Sequence, residues 1–477
     1  MIKLFPMLLI PALISTSPAG AHAQKDETSA LRAGAASIDI TPPESALRPG
    51  DRIRDHLYAR ALVIKTGTTC AVLVGLDQGM IGNEAVDAAT TRIVSSTGCP
   101  KTNIVISATH THSGSTHGIE AGGEPGAKQV ENAIVDSVKK AAARLRPARI
   151  GFGTTNVYLN VNRDLYSENQ WLQGPNIQGI SDKTLAVLEL LGEDDLPIGV
   201  YMSYALHPIS FYLSGVVSAD VPGEASRYVE RRYGPDMVTI FVQGASGDQN
   251  PFLTRPLYKL VETRAGVPTA NDRRISRPAP WLEMARERNA SIRLTEGLKT
   301  AVPADRLPAY EAAIRDQSEL VSAMGAVIGE TALNTMRYDI QSKSGSVGLR
   351  GAGASIECPG RDRTDRDNPV REGHLPPYTD GAPVVLELRV LRIGEIYIAS
   401  INGEIYSEIG LRLKREAPVS RLMLTTLANG IANSGYIYSN EAGSHLTFQV
   451  IGSRLKPGCA EDKIVSTFLE LISEVQP

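Results

Sequence analysis

The stretch NIVISATHTHSG, residues 103–114, couples an apolar β-branched run to a polar tail. Ile104, Val105 and Ile106 read as a buried strand, and the polar residues and Gly114 that follow read as the loop this strand delivers. With His117, the tail and its continuation hold three of the chain's eight histidines. On a strand, residues two apart share a face, so both His110 and His112 can approach one centre, or one can bind metal while the other binds substrate. A polar loop that is merely rich in histidine is the competing reading, and His117 fits that reading best.

The same pattern of strand and polar tip recurs along the chain. PIGVYMSYALHPIS (197–210) ends near His207, and MVTIFVQGASGDQNP (237–251) ends in Gly-Asp-Gln-Asn-Pro. VVLELRVLRIGEIYIASINGEIYSEIGLRLKRE (384–416) reads as two strands, after which Gly403-Glu404 opens a helix. RLMLTTLANGIANSGYI (421–437) ends near Tyr436. Helical periodicity appears in VENAIVDSVKKAAARL (130–145), and a polar helix-like segment covers 83–96. Rigid strands that present polar loop residues are the way α/β enzymes build sites. The expected fold class is α/β, a mixed-sheet sandwich with flanking helices.

Residues 253–345 depart from this pattern. They are charged, helix-prone and poor in strands, with an amphipathic helix at 308–333 and a Pro/Arg-rich loop at 264–281. They read either as an insertion beside the site, such as a lid, or as a helical layer covering the sheet.

Composition excludes several classes. The chain is 42% hydrophobic and 21% charged, with a formal net charge of −3, which offers no basic face for nucleic acid. MIKLFPMLLIPALISTSPAGAHAQ opens the chain with a positive residue, a short apolar run and an Ala-His-Ala site, a secretory signal cut after Ala23. No later stretch reaches the roughly 18 apolar residues of a membrane helix. The expectation is a single domain over 24–477, secreted or periplasmic, without an integral membrane segment. Export permits disulfides among Cys70, Cys99, Cys358 and Cys459. Cys70 follows a strand-like run and Cys99 precedes one, which makes that pair plausible beside the alternative of four free thiols.

Imidazole nitrogen and carboxylate oxygen suit zinc, and a catalytic zinc site leaves room for water. His110, His207, Glu404 and Tyr436 all fall at strand tips. The chain has no H-E-x-x-H, no G-x-S-x-G and no phosphate-loop motif.

Taken together, GAASIDITPP (34–43), LYARALVI (57–64), LVGLDQGMIG (73–82), ISATHTHSG, VNRD (161–164), ALHP (205–208) and INGE (401–404) resemble the N-terminal catalytic domain of the neutral (non-lysosomal) ceramidases, in that order along most of residues 33–455. The resemblance implies one zinc per chain, held by His110, His207, Glu404 and Tyr436. Tyr438 is the other tyrosine of that last stretch. His112 would lie beside the metal and bind substrate or hold the attacking water, and Arg163 would stabilise the oxyanion.

The chain departs from the family at named places. Asn250 stands where the family has its catalytic serine, in Gly247-Asp248-Gln249-Asn250-Pro251. An amide is no nucleophile, although it hydrogen-bonds a carbonyl or oxyanion. Phe448 stands where the family has a second tyrosine, and the family's C-terminal β-rich domain is expected to be missing. The expected mechanism is attack by zinc-bound hydroxide, with Asp248 or His112 moving protons and Gln249 and Phe448 contacting substrate. The expected substrate is a small molecule or lipid with an N-acyl amide bond, ceramide-like. An esterase or glycan-active enzyme on the same scaffold, or a zinc-bearing binding protein without catalysis, are the alternatives. For Asp220 the sequence favours a helix-capping role over catalysis.

Overall fold

Apolar runs on both sides of Gly67, which takes a left-handed turn, pair as a hairpin. The structure is a computed structural model and describes residues 29–118, 122–167, 169–253, 260, 263–264, 301–341, 343–365 and 370–477. The signal read at 1–23 and most of the Pro/Arg-rich stretch lie outside these residues.

The first sheet contains β1 (Ser29–Asp39), β2 (Tyr58–Thr66), β3 (Thr69–Leu76), β4 (Ile104–Ala108), β5 (Arg146–Asn156), β6 (Thr184–Gly192), β7 (Pro197–Tyr204) and β8 (Val238–Gln243). Their spatial order is β8-β7-β6-β5-β1-β2-β3-β4. The two end pairs, β7 with β8 and β3 with β4, are parallel, and the rest are antiparallel. The second sheet contains β9 (Leu349–Arg363), β10 (Tyr378–Ile393), β11 (Ile396–Ile401) and β12 (Leu422–Thr425), and again its last pair is parallel.

The two sheets face each other. Leu62, Leu73, Val105 and Val242 of the first meet Leu391, Ile396, Ile398 and Met423 of the second in one apolar cluster. On the outer face of the first sheet, α1 (Asn83–Thr97) and α2 (Ala127–Ala143) cover Val63, Val72, Val74 and Ile106. Further along that face, α3 (Asp220–Tyr233) and α4 (Leu307–Asn334) cover Val187, Val200 and Met202. The outer face of the second sheet carries α5 (Ser407–Glu416) and α6 (Ala460–Val475) over Leu386, Leu388 and Val390. Central strands are thus buried on both faces, which is why they read as continuous apolar runs and not as alternating ones. The expected mixed-sheet sandwich with flanking helices is what forms.

The helix expected at 308–333 spans Leu307–Asn334 and lies on α3. Two glycines allow the close approach: a Cβ at Gly325 would meet Glu224, and one at Gly329 would meet Tyr228. The cysteines pair as Cys70–Cys99, tying β3 to the turn after α1, and Cys358–Cys459, tying β9 to the start of α6. Among the described residues no helix is long and apolar enough to cross a membrane.

All three parallel pairs point their C-terminal ends toward one region. β4 leads to His110, β7 to His207, β8 to Asp248 and β11 to Glu404. The two sheets join there: Ser107 bridges Ala428, and the Asn429 amide donates to the Ile106 carbonyl at 2.7 Å.

Candidate metal centre

β4 stops at Ala108, and the chain then turns. His110 is left-handed, with φ of 66°, a conformation uncommon outside glycine. It is held there because its amide donates to the Gln78 carbonyl at 2.9 Å and its Nδ1 donates to the Gly79 carbonyl at 2.7 Å. The expectation that His110 and His112 share a strand face is therefore corrected. The turn, not the pleat, brings their rings to a centroid distance of 4.7 Å.

His207 follows β7 and is fully buried. Its Nδ1 donates to the Ser246 carbonyl at 3.0 Å. With both Nδ1 atoms spent as donors, the Nε2 atoms of His110 and His207 are turned to the centre, and they face each other at 3.1 Å. Two lone pairs at that distance repel unless a positive charge, a proton or a metal ion, lies between them.

Glu404 supplies the third corner. The expectation that it opens a helix is corrected: Glu404–Ile405 is a two-residue strand, and α5 begins only at Ser407. That strand pairs in parallel with Tyr436–Ile437, Glu404 opposite Tyr436. The loop after β8 can lie against it because residue 247 is glycine. A Cβ there would sit 2.9 Å from the Ile405 carbonyl and 3.0 Å from that of Glu404. Glu404 Oε2 is 3.2 Å from His110 Nε2 and 3.5 Å from His207 Nε2. It is buried and makes no well-directed hydrogen bond among the described residues.

These observations fit a metal. Donors held about 2.0–2.2 Å from a tetrahedral ion stand roughly 3.3–3.5 Å apart, close to the separations seen here. A cation would satisfy both Nε2 atoms and the carboxylate oxygen at once. Donor atoms of His110, His112 and His207 also lie within 4.8 Å of one another, so His112 borders the same point.

His112 is oriented by its own backbone contacts. Its Nδ1 donates to the His110 carbonyl at 3.1 Å, and its amide donates to the Pro208 carbonyl at 3.1 Å. Burial, reinforced by His110, holds its imidazole well below the usual range, so it is neutral with Nε2 as acceptor. Burial and the Arg163 charge do the same to His207. Burial opposes charge on Glu404 and on His110 alike, but each favours the other. The carboxylate raises the His110 imidazole, and that charge, with Arg163, keeps the Glu404 carboxyl below its ordinary value, so without a metal a proton on His110 takes the place of the cation. Tyr436 is pushed up, by burial first and by Glu404 second.

Arg163 reaches the centre through a β-bulge. In the strand Asn160–Ser167, Asn162 sits opposite Asn176 and Asp164 opposite Gln173, so Arg163 alone faces two residues, Gly174 and Pro175, and the extra residue of the bulge lies on the partner strand. Bulges re-aim side chains beside active sites. The buried guanidinium donates through Nε and Nη2 to the Gly247 carbonyl and through Nη1 to Asn250 Oδ1 at 3.2 Å. It stands 5.0 Å from the Tyr436 ring and 5.7 Å from the Phe448 ring, and those rings meet edge to face at 5.5 Å. Tyr436, not Tyr438, therefore belongs to the centre. The Tyr438 hydroxyl donates to the Leu455 carbonyl instead.

Three expected residues have other surroundings. Asp248 is buried, and its oxygens accept from the Ser407 amide, the Ser407 hydroxyl and Asn162 Nδ2. Burial pushes its carboxyl up to about 7 against those hydrogen bonds. Gln249 is fully buried, and its Nε2 donates to the Ile180 carbonyl and to Ser407, so it braces the loop and meets no open space. Asp220 starts α3 as its first residue, with Oδ1 and Oδ2 accepting from the amides of Val221 and Ser210, a local structural role.

Sequence reasoning passed over Tyr212. Its ring meets the His112 ring edge to face at 5.4 Å. It lies in the loop that His207 opens, and an aromatic there was the signal available. Tyr212, His112 and His117 line one cleft beside the centre.

The comparisons with known proteins bear on this arrangement. Residues 46–260 match the family described as neutral/alkaline non-lysosomal ceramidase, N-terminal. The resemblance read from the motifs is borne out over those residues. A neutral ceramidase from Pseudomonas aeruginosa is 29% identical over 169 residues, which cover 32% of this chain and 24% of that relative's length. The crystal structure of neutral ceramidase from Pseudomonas aeruginosa superposes with a TM-score of 0.65 at 17% identity, over 94% of this chain and 74% of that one. A structure of a ceramidase complexed with C2 gives 0.64 at 17% identity, over 93% and 75%. The family match includes His110, His112, Arg163, His207 and Asn250. Glu404, Tyr436 and Phe448 lie beyond it, within the span of the fold likeness.

Proposed function

We propose that the protein is an exported zinc-dependent hydrolase of N-acyl amide bonds, with a ceramide-like lipid or a related N-acyl compound as substrate. One observation carries the reading: the buried Glu404 Oε2, without a well-directed hydrogen bond among the described residues, faces the Nε2 atoms of two imidazoles. His110, His207, Glu404 and Tyr436 are the residues that would hold the ion. Zinc bound there supplies Lewis acidity, polarising a carbonyl and bringing the pKa of water near 7.

The chain's own residues then divide the remaining work. Arg163 is fixed by Gly247 and Asn250 with its charge beside Tyr436, where it stabilises negative charge developing on the amide oxygen. Neutral His112, with Nε2 as acceptor, takes a proton from the attacking water and returns it to the leaving amine. We assign this proton transfer to His112 because the oxygens of Asp248 are committed to Ser407 and Asn162. Water adds to the carbonyl carbon, the C–N bond breaks, and a carboxylic acid and an amine leave. Asn250 needs no nucleophilic role, since it holds Arg163. The reaction requires no serine at that position.

The test is metal content together with hydrolysis, on the wild type and His110→Ala, across long-chain ceramide, short N-acyl amino acids and esters. Stoichiometric zinc, with amide cleavage lost on chelation and in His110→Ala, is the expected result. Cleavage that survives metal removal overturns the reading. Zinc without turnover on any compound favours a binding protein instead.

A further inference from the structure

His110 and His207 follow strands that share no ladder among the described residues. β4 closes one end of the first sheet, and β7 lies next to β8 at the other. Strand pairing therefore does not set the distance between their tips. Gln243, the last residue of β8, spans the gap. It is fully buried. Its Nε2 donates to the Thr109 carbonyl at 2.9 Å, and its Oε1 accepts from the Leu206 amide at 3.2 Å. Thr109 immediately precedes His110, and Leu206 immediately precedes His207. A second link joins the same two segments beyond the histidines, from the His112 amide to the Pro208 carbonyl at 3.1 Å. The two imidazoles thus leave the backbone between a carboxamide on one side and a peptide hydrogen bond on the other.

The base of this strut is anchored as well. The Gln243 carbonyl accepts from the Thr426 amide at 2.9 Å, and Thr426 Oγ1 donates to the Gly244 carbonyl at 2.8 Å. The next residue, Leu427, donates its amide to the Gly403 carbonyl at 3.4 Å, one residue before Glu404. Contacts that start at Gln243 therefore reach the residue before each of three proposed donors, His110, His207 and Glu404.

A carboxamide meets both ends at once. It carries a donor and an acceptor on one planar group, whereas a carboxylate has no proton for the Thr109 carbonyl and an ammonium has no lone pair for the Leu206 amide. An apolar side chain of the same length would leave a buried carbonyl and a buried amide without this partner, which is costly.

We propose that Gln243 is a positioning residue of the metal centre. Its carboxamide fixes the separation of the backbones that carry His110 and His207, and with it the bite of the two imidazoles on the ion. Gln243 acts through residues 109 and 206 and is not itself a donor to the ion. This rests on the reading of the centre as a zinc site.

The test compares the wild type with two variants. Gln243→Met keeps the length and loses both hydrogen bonds. Gln243→Asn keeps both polar ends but is one methylene too short to reach both partners. Asn103→Leu is the control: that buried amide donates to the Cys70 carbonyl at 2.9 Å, just before β4 and at the opposite end from His110. Zinc is titrated out of the full chain by a chromophoric chelator, and the visible spectrum of the cobalt-loaded protein reports coordination geometry. Gln243→Met should bind zinc about 10–100-fold more weakly, the scale for losing an outer partner of a metal ligand, and should shift the cobalt bands. Gln243→Asn should fall between it and the wild type, and it decides the question if Gln243→Met does not fold. Asn103→Leu should lower the melting temperature and leave zinc affinity and cobalt bands unchanged. Wild-type affinity and bands in the Gln243 variants, or an equal loss in Asn103→Leu, overturns the proposal and leaves the zinc centre standing. A wild type that binds no zinc removes the centre itself, and the proposal with it.

Discussion

Glu404 and Tyr436 are opposite partners in a two-residue parallel ladder, so two side chains of the centre are set by one pair of backbone contacts. Replacing even an outer partner of a metal ligand usually costs roughly 10–100-fold in affinity, and a direct donor should cost at least that. Glu404→Gln should therefore weaken zinc binding by at least ~10-fold on that scale. Tyr436→Phe, which keeps the ring over Arg163, should weaken it less. Competition against a chromophoric chelator measures both, and an unchanged affinity in Glu404→Gln would remove Glu404 from the donor set.

Asn250 contributes by holding Arg163. Asn250→Ala should lower kcat/KM about 10-fold, corresponding to one lost hydrogen bond to a charged group, about 1.5 kcal/mol. Arg163→Met should cost more, on the order of 10²–10³ in kcat, the scale for a lost oxyanion donor. If Asn250→Ala falls as far as Arg163→Met, the amide itself meets the oxyanion. If it is silent, Arg163 is held by Gly247 alone.

Asp248 gives a pH signature. Its carboxyl is raised from 3.8 to about 7 by burial, so the native state keeps a proton that the unfolded chain releases. Folding stability then falls as pH rises from about 4 through about 7, because over that window the unfolded state binds fewer protons. Asp248→Asn removes this dependence. The melting temperature of the variant minus that of the wild type should increase from pH 5 to pH 8, and a flat difference would show that Asp248 is already ionised in the native state.

The two disulfides should differ in weight. Cys358–Cys459 closes a separation of 101 residues and Cys70–Cys99 one of 29. In the chain-entropy account the longer loop stabilises more, with about 2–4 kcal/mol typical for a disulfide. Denaturant unfolding of the two double Cys→Ser variants should rank them in that order, and the reverse order would point to strain or residual structure in the unfolded chain.

Much of the centre was legible because polar residues at the ends of apolar runs mark strand tips. His207 was located in this way, and the resemblance to the ceramidases supplied the role of Tyr436. What escaped was set by tertiary contacts. Nothing local announces that His110 turns left-handed, since the carbonyls of Gln78 and Gly79 hold it there. The bulge that aims Arg163 depends on the register with the strand Gln170–Asn176. Glu404 read as a helix start because a helix does begin three residues later, and only its partner Tyr436 makes it a strand. Asp248 looked available because its engagement with Ser407 joins residues 159 apart in sequence.

The four proposed donors come from opposite layers of the sandwich. His110 and His207 follow strands of the first sheet, whereas Glu404 and Tyr436 follow strands of the second and pair with each other. None of these pairs forms a four-point cage within its own layer, so the cage exists only once the layers have docked. An ion held by all four would bind the docked state alone, and its binding free energy would add directly to the closure of the sandwich. Loading would then work as a latch on assembly: a chain whose layers have not met has no complete site to fill, and a filled site keeps the layers from parting.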